Sequence, residues 1–336
     1  MAMTEHMGQV TDKSMAIAID WGSTSFRAYH FSADGQLLEK RQADCGIGQV
    51  SGQSDASRHA WFERILFEHC ADWLDQQSST PVAPILLSGM ITSRNGWVET
   101  PYLSCPVKLH ALTDNAVHKT VRDTTLMFLP GVAISAGDDQ NSTDVMRADV
   151  MRGEELQLIG ATGSSTDTEK SAGLYVLPGT HSKWVNYNAG CLQSFHTAPT
   201  GELFATLMQH TLIGALSDKG EWDAAVFRKS VEQGYHSTQF LSGLFGARAG
   251  VLLEKIRPQA VSAYLSGLLI GREIREGINM VIDFSGEAVV DTAITIIGEP
   301  ILCRRYTDAL STLGFTSRIP ENDMAADGFA RLLALM

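Results

Sequence analysis

The sequence predicts an α/β chain of two domains, and three observations lead there. Its 336 residues exceed a typical single core and suit two domains of ordinary size. A strand–turn–strand pattern over residues 15–43 gives way to a helical period and then to an almost wholly apolar run at 84–90. Beyond an unpatterned Ser/Thr-rich and charged connection at 163–171, a strand–turn–strand pattern starts again. The expected domains are therefore 15–165 and 172–336. Residues 1–14 lack the apolar stretch of a signal peptide and are expected to be a disordered leader.

The first apolar run, 15–19, ends on a carboxylate, Asp20. Gly22, Ser23, Thr24 and Ser25 make a small hydroxyl-rich turn, and a second strand, 26–31, leads to Asp34-Gly35. That dipeptide suits a type I′ hairpin into a third strand at 36–43. From 57 to 77, Phe62, Ile65, Leu66, Cys70, Trp73 and Leu74 recur on one helical face, with Ser54, Asp55 or Ser57 as the cap. The run at 84–90 suits a buried parallel strand. In the second half, 174–177 and 183–187 flank a Pro178-Gly179-Thr180-His181-Ser182 turn. Helices are expected over 202–216, 258–276 and 303–313, the last stopped by Gly314. A short buried strand at 293–297 runs into Gly298-Glu299-Pro300. The two halves repeat an architecture without a detectable repeat of residues.

Composition narrows the function classes. The chain is 44% hydrophobic and 19% charged, as soluble globular proteins are. No apolar run approaches the ~20 residues that span a bilayer. Five scattered cysteines form no CxxC pair, which suits a reducing cytoplasm and argues against a disulfide framework or structural zinc. The formal net charge of −12 argues against general nucleic-acid binding. Anionic ligands would have to meet individually placed cations, which draws attention to Arg27, Arg94, Arg152 and Lys183. No heptad pattern is present, so the oligomeric state stays open, a homodimer included.

The first turn is the most informative segment. Glycine lets a backbone come close to a ligand, and the N–H and hydroxyl groups of Gly22, Ser23 and Thr24 can hold phosphate oxygens. Asp20 beside them is placed to hold Mg²⁺, directly or through water. No Walker loop and no convincing G-x-G-x-x-G occur, so any nucleotide must be held by paired hairpin turns.

Asp20-Trp21-Gly22-Ser23-Thr24 entering a hairpin resembles the first phosphate motif of the superfamily containing actin, hexokinase and heat-shock ATPases. The Trp after the Asp, with SGM at 88–90, NGW at 95–97, PYLSCP at 101–106, MRGEE at 151–155, PGTHSKW at 178–184, TGE at 200–202 and SGLLIG at 266–271, resembles the 2-dehydro-3-deoxygalactonokinases more closely. The resemblance runs from about residue 15 to the end, with the motifs in the same order. It implies an actin-like (ribonuclease H-like) fold, each domain a mixed five-stranded sheet with helices and the ligand cleft between domains. It also implies ATP-dependent phosphorylation of the terminal 6-hydroxyl of 2-dehydro-3-deoxy-D-galactonate, with ATP and Mg²⁺, in cytoplasmic galactonate catabolism.

On the same resemblance, Gly179, Thr180, His181 and Ser182 form the second phosphate loop and Lys183 neutralises charge in transfer. Gly298 and Glu299 lie under the nucleoside, although Glu299-Pro300 stands where family members tend to have small residues. Arg94, Asn95, Gly96, Trp97, Tyr102 and Arg152 belong to the sugar-acid site, with Arg94 clamping the carboxylate and Trp97 walling the pocket. Glu154 is the expected base, with Glu155 and Asp149 as alternatives. Glu202 is expected to hold water on Mg²⁺. Two rival readings stay open: a kinase of a related sugar acid such as the gluconate epimer, and a nucleotide-gated binding protein that transfers nothing.

Overall fold

A computed structural model describes residues 16–75, 84–134, 148–163, 172–285 and 293–336. The leader and nearly all of the 163–171 connection lie outside the described residues. The first half opens with strands β1 (Ala16–Trp21), β2 (Phe26–Phe31) and β3 (Leu37–Ala43), an antiparallel meander, followed by helix α1 (Asp55–Asp75). Strand β4 (Ile85–Ser88) then pairs parallel with β1, so that Ser88 lies opposite Asp20. Strands β5 (Tyr102–Ser104) and β6 (Val107–Lys108), the short helix α2 (Ala111–Asp114), and strands β7 (Val117–Val121), β8 (Thr124–Phe128), β9 (Gly131–Ile134) and β10 (Asp149–Met151) follow. Helix α3 (Glu154–Ala161) closes this half.

The second half repeats the plan. Strands β11 (Gly173–Leu177), β12 (Ser182–Asn188) and β13 (Cys191–Ala198) form an antiparallel meander. Helices α4 (Thr200–His210), α5 (Ala224–His236), α6 (Phe240–Leu252) and α7 (Val261–Ser285) come next. Strand β14 (Ile294–Ile296), helix α8 (Pro300–Thr312), strand β15 (Ser317–Arg318) and helix α9 (Met324–Leu335) end the chain. Strand β14 pairs parallel with β11, as β4 does with β1.

Among the described residues each main sheet has six strands, not the expected five. The orders are β3-β2-β1-β4-β8-β7 and β15-β14-β11-β12-β13-β6, beside a three-stranded β10-β9-β5 sheet. The extra members are edge strands: β7 returns antiparallel on β8, and β6 crosses from the first half to pair with β13. The chain also departs from a clean division at residues 165–172. Helix α9, expected in the second domain, packs on α3 and touches β1. Glycines allow this: a Cβ on Gly160 would lie 2.0 Å from the Met324 carbonyl oxygen, and one on Gly328 2.2 Å from that of Leu156. One apolar cluster consequently joins Tyr29, Leu86 and Leu156 to Tyr175, Val185 and Phe329.

Several local expectations differ in detail. The Asp34-Gly35 hairpin forms, but only Gly35 has positive φ (83°) and a register shift follows at His30/Phe31. A type I′ turn needs positive φ at both central residues, so the turn is of another type. Helix α4 stops at His210 rather than 216, because Thr211 is extended and its hydroxyl donates to the Leu207 carbonyl. Helix α8 begins at Pro300, with the Glu299 carboxylate accepting from the Leu302 N–H. Gly267 and Gly271 serve helix packing: a Cβ there would meet the Phe227 and Val231 carbonyl oxygens at 2.4 and 2.1 Å.

Candidate active site

Two turns open on one cavity of about 960 Å³. The first, between β1 and β2, is fastened from behind. The carbonyls of Gly22, Ser23 and Thr24 accept from the N–H groups of Ile47, Gly48 and Gly46 at 3.0–3.1 Å. A Cβ on Gly46 would lie 2.3 Å from Ser23 and Thr24 backbone atoms, so only glycine allows this backing. With the carbonyls turned away, Gly22 and the exposed Ser23 and Thr24 line the cavity. The second turn, between β11 and β12, is backed in the same manner. The Glu202 N–H donates to the Thr180 carbonyl at 3.1 Å, and Gly201 lies flat against Gly179 and Thr180. Pro178, Gly179, Thr180 and His181 line the cavity from that side, with Gly298, Glu299 and Pro300 beside them.

Asp20 sits at the base. It is 6% exposed, and its Oδ2 takes an ion pair from Arg27 Nη2 at 2.8 Å, the residue opposite it in the β1–β2 register. Burial pushes its carboxyl upward; Arg27 opposes this and the nearby Asp323 adds to it. Gly89, at φ 92°, lets the chain leaving β4 pass over this carboxylate: a Cβ there would stand 3.1 Å from Asp20 Oδ1 and 2.8 Å from the Trp21 carbonyl. Gly153, at φ 107°, closes against Gly89 in turn and brings the start of α3 alongside.

Helix α3 separates the candidate carboxylates. Glu154 and Gln157, one turn apart, line the cavity. Glu155 is 2% exposed on the buried side, its carboxylate accepting from the Gly153 N–H at 2.8 Å. Burial, reinforced by Glu154, pushes Glu155 up to about 7. A carboxyl raised in the folded state favours folding while protonated and loses that advantage as pH rises through its folded pKa. Glu155→Gln is therefore expected to melt close to the parent at pH 5. At pH 8 it should be more stable by about 3 kcal/mol, read from thermal or denaturant melts at the two pH values. Asp149 is not on the cavity: its oxygens accept from the Thr197 N–H and hydroxyl, both at 2.6 Å.

Several expected site residues stand elsewhere. Lys183 is 5% exposed and off the cavity, with its ammonium donating to the Val150 carbonyl (2.9 Å) and Thr197 Oγ1 (2.7 Å). Ser182 is fully buried and hydrogen-bonded to the Tyr306 hydroxyl at 3.0 Å, so it supports the loop from below. Trp97 is core, 3% exposed between Phe62 and Phe128, because the turn folds back through a Trp97 N–H to Ile91 carbonyl bond. Gly96 is buried in the same turn, where a Cβ would clash with Ile91. Arg94 and Asn95 are exposed, and neither lines the cavity.

Arg152 does line it, but its guanidinium is engaged. It stacks 4.2 Å from the Tyr102 ring centroid and donates to Thr92 and Thr100, fastening the 92–100 loop to the start of α3. Tyr102 itself lies outside the cavity lining. Glu202 also lies outside it and pairs with His181 at 2.7 Å.

Sequence reading missed Lys40 and Asp323, which line the cavity and pair at 2.6 Å. Asp323 caps α9 through the Ala325 and Ala326 N–H groups. An Asp before an apolar helical run was a legible cap; that α9 returns it to the side of Asp20 was not.

Among the described residues no cluster of three or more His, Cys, Asp or Glu side chains is arranged to hold a metal. This donor set fits Mg²⁺, which takes one or two carboxylates and fills its other positions with water and phosphate oxygen. Ser88 Oγ, opposite Asp20 in the sheet, is buried without a hydrogen-bond partner among the described residues. That leaves a hydroxyl oxygen beside Asp20 to accept from water on a hydrated ion.

The family described as 2-keto-3-deoxy-galactonokinase matches residues 20–332. The chain belongs to that family. A 2-dehydro-3-deoxygalactonokinase from Escherichia coli is 34% identical over 318 residues, 95% of this chain and 97% of the relative. A crystal structure from Sinorhizobium meliloti, of a candidate 2-dehydro-3-deoxygalactonokinase, superposes with a TM-score of 0.75. It is 31% identical and is covered over 95% of both chains. In this member of the family, both hydroxyl-bearing turns, Asp20 and Glu154 line one cavity.

Proposed function

We propose that the protein is an ATP-dependent 2-dehydro-3-deoxygalactonokinase, transferring the γ-phosphoryl group to the terminal 6-hydroxyl of 2-dehydro-3-deoxy-D-galactonate. The observation that carries the reading is the convergence of Ser23, Thr24, Thr180, Asp20 and Glu154 on a single cavity. The β- and γ-phosphates would lie between the first and second turns, held by the N–H and hydroxyl donors of Ser23, Thr24 and Thr180. Adenosine would pass over Gly298 towards the small hollow bounded by Gly201, Ser266, Leu269 and Arg305. The nucleotide would lie on the second lobe, 172–336, and the sugar acid against the first, 15–165.

Asp20 would hold Mg²⁺, directly or through water, and the ion would supply charge neutralisation on the transferring group. Arg27, paired with the Asp20 carboxylate, favours its ionised form against the burial that raises it. Glu154 faces the acceptor side, where it can take or orient the proton of the attacking hydroxyl. Of the cations lining the cavity, Arg27 and Lys40 each already face a carboxylate. The sugar-acid carboxylate would therefore compete with Asp323 for Lys40, a role first expected of Arg94. Because phosphoryl transfer needs little covalent help, positioning and electrostatics carry the rate. A cytoplasmic setting accords with the free cysteines, and no described helix is long and apolar enough to cross a membrane.

A coupled ADP-release assay tests the reading. ADP release is expected to depend on 2-dehydro-3-deoxy-D-galactonate and to exceed that with the gluconate epimer. Equal ADP release with and without either sugar acid would overturn it.

A further inference from the structure

We infer that Lys183 is a positioning residue that ties the nucleotide-side turn to the strand carrying the Glu154 turn, so that the phosphate loop and the base are set by one side chain. The inference rests on the role given to Glu154 above. Lys183 follows the second turn directly and lies opposite Thr197 in the β12–β13 register. Its ammonium reaches out of that sheet to the Val150 carbonyl on β10, at 2.9 Å. Its second bond, to Thr197 Oγ1 at 2.7 Å, continues through the Thr197 hydroxyl to Asp149 Oδ1, at 2.6 Å. The Thr197 N–H donates to the other Asp149 oxygen. Two consecutive residues of β10 are thus fastened to the sheet that bears Thr180. Gly153 and Glu154 follow within four residues of Val150, with Gly153 pressed on Gly89 above Asp20.

An ammonium is a costly thing to bury, and an apolar side chain would fill the same space without the desolvation penalty. What an apolar side chain lacks is both the reach to Val150 and the charge. Burial pushes Glu154 upward, and Lys183 is the leading influence drawing it back down. The same side chain therefore fixes the strand before the base and favours the ionised form of the base. It does this from beneath the cavity, whose wall it does not join.

Lys183→Met and Thr197→Val test the inference, each alone and combined with Glu154→Gln. Lys183→Met is expected to lower kcat on the order of 10²-fold, the scale of a base misplaced by about 1 Å, with the KM for ATP little changed. Thr197→Val, which keeps the charge and the Lys183–Val150 bond but removes the hydroxyl that links Lys183 to Asp149, should show the same pattern more weakly. In the Glu154→Gln background both substitutions should cost little further activity, since they act through a group already removed. Full multiplicative loss in the double variants would overturn the inference. So would an unchanged kcat with a raised KM for ATP, which would make Lys183 a phosphate ligand. If Lys183→Met fails to fold, Thr197→Val carries the same comparison. Failure of the kinase reading is distinguishable, because it would appear as a parent enzyme without sugar-acid-dependent ADP release.

Discussion

Asp20→Asn is expected to reduce kcat by at least 10²–10³-fold, the scale for losing a preorganised electrostatic contact at a transferring group, while leaving the fold as stable as the parent. The two halves of this expectation have separate causes. The carboxylate is 6% exposed, paired with Arg27 and pressed by Gly89 from above. Burial and the neighbouring Asp323 both work against its ionised form. A neutral side chain of the same shape removes that unfavourable charge, so the melting temperature should hold or rise. On the proposed mechanism, binding of Mg·ATP by contrast needs the negative charge, and an amide ligates a hard cation weakly. Turnover and thermal melts on the same preparation decide the matter; near-parental turnover in a folded variant removes Asp20 from the mechanism.

Glu154→Gln should cost 10²–10⁴ in kcat, the usual yield of general acid–base assistance. Glu155→Gln should leave turnover within a few-fold, because its carboxylate faces the interior and serves the Gly153 N–H. The pH profile separates these residues a second way. Burial raises Glu154 above the ordinary glutamate range, with Lys183 only partly opposing it. A base must be ionised to act, so activity should fall on the acid side at a pH above that of an exposed glutamate. That limb should disappear in Glu154→Gln and persist in Glu155→Gln. Identical pH profiles for the parent and Glu154→Gln would return the base to an unassigned position.

Much of this site was legible before any coordinates. The Asp20 turn and the Thr180 turn are each bounded by strands and marked by glycine and hydroxyl residues, features written within a few positions of one another. The helix of 57–77 was equally clear, because Phe62, Leu66, Cys70 and Trp73 repeat at the spacing that buries one face. The substrate segment was read less well. Arg94, Asn95 and Trp97 have the chemistry of a sugar site, yet the Trp97 ring is enclosed by Phe62 and Phe128, which lie far away in sequence. A tryptophan in a polar loop gives no local sign of which way it turns.

What the sequence determined by itself is the 15–43 meander, the helix of 57–77, the second meander's first two strands, the two glycine- and hydroxyl-bearing turns and the resemblance to the kinase family; strands β5–β10 and helices α5, α6 and α9 were not among its expectations. The features it determined depend on period, turn chemistry and motif order, all of which are local or linear properties. The tertiary structure alone decided which neighbours face the cavity: Glu154 and not Glu155 or Asp149, with Lys183 turned inward and Asp323 brought in from the C-terminal helix. The rotation of α3 settles the first of these. It is fixed by Gly160 and Gly328, which let α9 lie directly against it. Side-chain direction on a short helix follows from its packing partner, and that partner is more than 160 residues away in the chain.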